Sequence, residues 1–98
     1  MAQRDRSDIE SALSSKGFVA KGGDHTFYIY HSIEGKKTTI KTKISRGSGY
    51  KVYTTPLLSA MARQCKLTKQ NLLKFIDCSI SQQKYEEILS KQNPNPLI

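Results

Sequence analysis

Two imidazoles, His25 and His31, are the only side chains of this 98-residue chain whose ordinary pKa, about 6.5, suits proton transfer near neutrality. No pair of carboxylates stands at a spacing suited to acid and base work, so His25 and His31 carry whatever catalytic reading the sequence allows. His25 is the better candidate because it follows the turn Gly22-Gly23-Asp24 at the start of a strand, whereas His31 lies where a hairpin begins to close. A lone histidine in a small basic protein also serves as an ordinary surface or core residue. Strand parity in addition turns His25 toward the helix side, unless a bulge re-aims it. The second chemical element is cationic. Residues 34–53 hold Lys36, Lys37, Lys41, Lys43, Arg46 and Lys51 against Glu34 alone. A concentration of this kind is the footprint of a phosphate-binding surface, with Lys41, Lys43, Arg46 and Lys51 as the expected phosphate ligands.

These side chains need elements to hold them. Ser7-Asp8-Ile9-Glu10 reads as a capping box opening a helix whose apolar stripe is Ile9, Ala12 and Leu13, with Gly17 as a left-handed C-terminal cap. Residues 18–21 form a short strand before the glycine turn. Residues 25–32 alternate in two registers, and 37–44 return with Ile40 and Ile44 on one face and Lys41 and Lys43 on the other. Ile33-Glu34-Gly35-Lys36 connects the two strands, and Ser45 to Gly49 is a basic loop. With Phe27, Ile29, Ile40 and Ile44 turned inward, Tyr28, Tyr30, Lys41 and Lys43 line the open face, combining cations for phosphates with rings for bases. Thr, Tyr and Lys also face water on many antiparallel sheets simply because they suit strands.

A second helix follows Thr55-Pro56, a cap with proline at the first helical position, and buries Leu57, Leu58, Met61, Ala62 and Cys65. Thr68 caps a third helix with Leu72, Leu73 and Ile76, and Ser81 a fourth with Tyr85, Ile88 and Leu89. Asn93-Pro94-Asn95-Pro96 ends the pattern in a frayed, disordered tail. The order predicts an α+β sandwich with an antiparallel sheet covered on one side.

Length and composition bound the function. Ninety-eight residues, 37% hydrophobic and without tryptophan, supply one small core and no deep tunnel, so any active site is shallow or shared. Sixteen Lys plus Arg against eight Asp plus Glu give a formal charge of +8. No apolar run reaches the roughly 18 residues of a membrane span, and residues 1–16 hold no secretory core, so a cytoplasmic protein without membrane partners is expected. Cys65 and Cys78 lack metal or redox spacing, so reduced thiols, no metal and no cofactor are expected.

Four motifs stand together between residues 9 and 67: Lys16-Gly17-Phe18 at the end of the first helix, Gly23-Asp24-His25, Arg46-Gly47 in the basic loop, and the Leu-rich helix running to Gln64-Cys65-Lys66-Leu67. With them this stretch resembles the HicA family of toxin–antitoxin ribonucleases. The resemblance implies a double-stranded-RNA-binding-like α-β-β-β-α fold over 1–67; the residues beyond it read as a helical extension over 68–92 packed on that domain, with 93–98 as the tail. It also implies metal-independent cleavage of messenger RNA, His25 in the position of the catalytic histidine, and a cognate antitoxin protein that covers the basic face. His25 would deprotonate the 2′-hydroxyl, which attacks its own phosphate while cations stabilise the charge gathering on the phosphoryl oxygens. Two features depart from the family. Ser45 stands where many members carry a second histidine, which leaves Tyr50, Tyr53 or water as alternatives for the second proton transfer. The segment after Thr68 is also longer than usual, and its apolar stripes suit packing on the domain, a homo-oligomer surface or a seat for the antitoxin. A non-catalytic nucleic-acid-binding domain needs the same cationic sheet and no His25.

Overall fold

The computed structural model describes residues 3–22, 26–44, 51–92 and 96–97. Along them run β1 (Gln3–Asp5), α1 (Arg6–Ser15), β2 (Phe18–Lys21), β3 (Thr26–His31), β4 (Lys37–Ile44), β5 (Val52–Thr54), α2 (Thr55–Gln64), α3 (Lys69–Ile76) and α4 (Gln82–Ser90). This is an α+β fold: β2, β3 and β4 form an antiparallel sheet in that order, and the helices bury its inner face.

β1 and β5 are an addition to the expected order, a separate two-stranded antiparallel ribbon with Arg4 opposite Tyr53. The ribbon also moves the start of α1. Asp5, not Ser7, is the N-cap residue, and it makes no side-chain capping bond. The Arg6 N–H donates instead to the Lys51 carbonyl at 2.9 Å, so neighbouring backbone satisfies one of the donors left free in the first turn of the helix. At the other end Gly17 has φ +98°, as the left-handed cap requires. A Cβ there would lie 2.7 Å from the His31 carbonyl oxygen and 2.8 Å from the Tyr30 ring, so close approach adds to the conformational demand.

The sheet corrects the expected faces of β3. Tyr28 and Tyr30 are buried, at 4% and 0% exposure, while Phe27 is 39% exposed. They therefore do not line the open face. The cause is register. A connection of Ile33–Lys36 alone would set Ser32 opposite Lys37 and Phe27 opposite Thr42. The hairpin instead closes with His31 opposite Lys37, and an irregularity between Ile29 and His31 leads on to Ile29 opposite Lys41 and Phe27 opposite Lys43. A one-residue difference in register exchanges the two faces of a strand. Both registers of β3 are apolar and aromatic, so hydrophobicity alone did not select between them. On β4 the reading holds: Ile40, Thr42 and Ile44 are buried, and Lys41 and Lys43 are exposed.

The helices close the core as their caps foretell. Thr68 and Ser81 each accept a backbone N–H, from Asn71 and Lys84, both at 3.1 Å. α2 starts one residue early, with Thr54 as its N-cap. Phe18 and Tyr30 from the sheet meet Phe75 of α3 and Tyr85 of α4, with ring centroids 5.1 Å apart for Phe18–Tyr30, 5.0 Å for Tyr30–Tyr85 and 5.1 Å for Phe75–Tyr85. Aromatic pairs at such spacings contribute about 0.5–1.5 kcal/mol each beyond their burial.

The polar atoms of this cluster are satisfied. The Tyr30 hydroxyl donates to Glu86 Oε2 at 2.5 Å, and the Tyr85 hydroxyl donates to the Cys65 carbonyl at 2.7 Å. Burial, aided by the bond to Glu86, raises the Tyr30 phenol above its ordinary value, and burial pushes the Cys65 thiol up to about 12. Lys16 is buried as well. Its Nζ donates to the Phe75 carbonyl near the C-terminus of α3 and lies 4.5 Å from the Phe75 ring centroid. Lys16, Gly17 and Phe18 thus serve in turn as a cap for α3, a left-handed turn and a core ring. In the segment expected to fray, Leu97 packs against the core.

Candidate nucleic-acid interface

The outer face of the sheet is built in cross-strand rows. Lys21, Phe27 and Lys43 are register partners across the three strands, and so are Val19, Ile29 and Lys41. Partners in such a row stand side by side on one face, so the two lysines flanking Phe27 leave the backbone roughly 10 Å apart, two strand spacings. His31 and Lys37 continue the face toward the hairpin. Val19 is 49% exposed, and Lys41 Nζ sits 5.8 Å from the Phe27 ring centroid. A groove of about 480 Å³ runs over this surface between Lys21, Phe27, Ile29 and Lys41. The sequences of β2, β3 and β4 contain four lysines and no acidic residue. The face is therefore an apolar, partly aromatic strip framed by ammonium groups that have no acidic ion-pair partner among the described residues, and a polyanion relieves their mutual repulsion.

The anticipated site residues divide into four groups. Lys41 and Lys43 stand on this face, Lys43 also bordering α2 near Gln64, which accepts a 2.6 Å bond from Thr42. Lys51 is exposed but belongs elsewhere: its carbonyl meets the start of α1, and it lines a depression with Arg6, Ser7 and Glu10. Tyr28 and Tyr30 are core residues and cannot stack a base, and Tyr53 is buried too. His25 and Arg46 lie outside the described residues, as do Ser45 and Tyr50. Their attachment points are described, however. Thr26, next to His25 in the chain, is the register partner of Ile44, two residues before Arg46. The segments carrying His25 and Arg46 therefore join the sheet on neighbouring strands at the same end, beside the row of Lys21, Phe27 and Lys43.

Sequence reasoning missed Phe27, Lys21 and Lys37 as members of this surface. The outward lysines of β4 were a usable guide, because whichever residues of β3 pair with Lys41 and Lys43 must share their face.

Among the described residues no group of three or more His, Cys, Asp or Glu side chains is disposed to hold a metal ion, and no helix is long and apolar enough to cross a membrane. No family model matches the chain, and neither a curated protein nor a solved structure matches it.

Proposed function

We propose that the chain is a metal-independent endoribonuclease of the HicA toxin kind, built on a double-stranded-RNA-binding-like α-β-β-β-α unit and neutralised by a cognate antitoxin protein. The observation that carries this reading is the pairing of Thr26 with Ile44, which brings the attachment points of the His25 and Arg46 segments together at the end of a lysine-rich face. The element order α1, β2, β3, β4, α2, with β5 interposed, supports the reading of such a unit.

In the proposed reaction neutral His25 removes the proton of a ribose 2′-hydroxyl. The 2′-oxygen then bonds to the adjacent phosphorus, and the bond from phosphorus to the 5′-oxygen breaks. The departing oxygen takes up a proton, and a 2′,3′-cyclic phosphate remains. Lys41, Lys43 and Arg46 hold the strand and offset the negative charge that gathers on the phosphoryl oxygens. The face described above also favours a second reading, a binding module without catalysis, because none of its ring and lysine contacts requires His25.

The test uses purified protein, an RNA substrate and a metal chelator. Cleavage that yields cyclic-phosphate ends, is indifferent to the chelator and disappears in His25→Ala while RNA binding persists supports the nuclease. Equal cleavage by wild type and His25→Ala, or cleavage abolished by the chelator, overturns it. Binding without cleavage by the wild type leaves the second reading.

A further inference from the structure

We infer that Phe27 is a stacking platform for an unpaired base, so that the RNA taken by the outer sheet face is single-stranded, its phosphates held by Lys21, Lys41 and Lys43. The inference rests on the proposed RNA-handling role of this face and specifies the form of the substrate.

Phe27 is 39% exposed on the central strand near one end of the sheet, where water gains nothing from a phenyl ring. Its register partners on both sides are lysines, and a third lysine, Lys41, approaches the ring. A ring between cations matches a nucleotide strand, which offers an aromatic base and an anionic phosphate at every step. A duplex keeps its bases stacked on one another and presents phosphate and sugar, so it would use the lysines and leave the ring idle. A second copy of this chain fits worse. Its lysines would oppose the same lysines, and the centres of protein interfaces are depleted in that residue.

The test titrates the full chain with a labelled 12-nucleotide RNA made uncleavable by 2′-O-methyl groups, with the same strand in a duplex, and with a DNA strand of the same sequence. Phe27 lies on the open face, so Phe27→Ala and Phe27→Trp leave the core intact, which thermal melts check. Phe27→Ala is expected to weaken single-strand binding about tenfold, while duplex binding stays within about twofold. The DNA strand behaves as the RNA strand does, because stacking and ammonium contacts do not read the 2′-position. Phe27→Trp introduces the only tryptophan of the chain, and its emission should be quenched saturably by single strands and not by duplex.

Unchanged single-strand affinity in Phe27→Ala, equal quenching by duplex, or a dimer that Phe27→Ala converts to monomer overturns the inference. The two proposals fail separately. Cleavage that requires His25 but ignores Phe27 sinks the platform alone, and single-strand binding that requires Phe27 without any cleavage sinks the nuclease alone.

Discussion

The two faces of β3 use nearly the same chemistry to opposite ends. Inward, Tyr28 and Tyr30 are sealed among the core residues, with the Tyr30 hydroxyl carried to Glu86 of α4. Outward, Phe27 is left partly in water between Lys21 and Lys43, although it lacks any polar atom and would be the easier ring to bury. The difference teaches that ring type does not assign a strand residue to core or surface. What decides is register, which turns Tyr30 toward the aromatic wall of Phe18 and Tyr85 and sets Phe27 beside the lysines of the neighbouring strands.

If the inner face is structural and the outer face functional, substitutions should divide along that line. The largest loss is expected for Phe18→Ala, which removes the ring touching Tyr30, Phe75 and Tyr85; urea unfolding should show about 3–5 kcal/mol of lost stability. Gly17→Ala comes next. A side chain at positive φ costs about 1–3 kcal/mol, and here it also presses on the His31 carbonyl, so a melting point lowered by several degrees is expected.

Asp77→Asn tests the contact outside both faces, where the Arg4 guanidinium grips Asp77 through two bonds of 2.8 and 2.7 Å. The pair is largely exposed, so its loss should cost less than about 1 kcal/mol. The hydrogen bond from Arg4 holds the Asp77 carboxyl below its ordinary value. Its small contribution is therefore complete above the unfolded carboxylate range near 3.9, falls away as acid lowers the pH through the folded value, and is absent from Asp77→Asn.

The smallest change in stability, within about 0.5 kcal/mol, is expected for the double variant Lys41→Ala, Lys43→Ala. The same variant should reduce the salt dependence of RNA binding by about two phosphate contacts, measured as the slope of log affinity against log salt. A large unfolding effect there would erase the distinction between the faces.

Most of the framework was legible because local chemistry declares it. The Thr68 and Ser81 caps, the left-handed Gly17 and the alternation of Lys41 and Lys43 with Ile40, Thr42 and Ile44 all act within a few residues of one another. β1 and β5 were not legible, because a three-residue ribbon has no period to detect and its first strand reads Gln-Arg-Asp. The faces of β3 were misread because register is a non-local property, set where the hairpin closes and altered by the irregularity beyond His31. The helical segment after residue 67 looked like an addition, since sequence order does not show that Phe75 and Tyr85 meet Phe18 and Tyr30. For the site, the cationic character was plain and the aromatic partner was assigned to the wrong residues. Lys16 gave no sign of burial, and its role as a cap on a helix through Phe75, 59 residues further along the chain, is visible only in three dimensions.

The aromatic cluster joins the two ends of the chain in time as well as in space. Phe18 and Tyr30 leave the ribosome early, yet the walls they lean on arrive only with Phe75 and Tyr85. Until then the interior of the nascent sheet lacks its aromatic wall, and its lysines sit on an incompletely packed framework. Any power to grip RNA should therefore switch on late and all at once, so that a prematurely terminated product is inert.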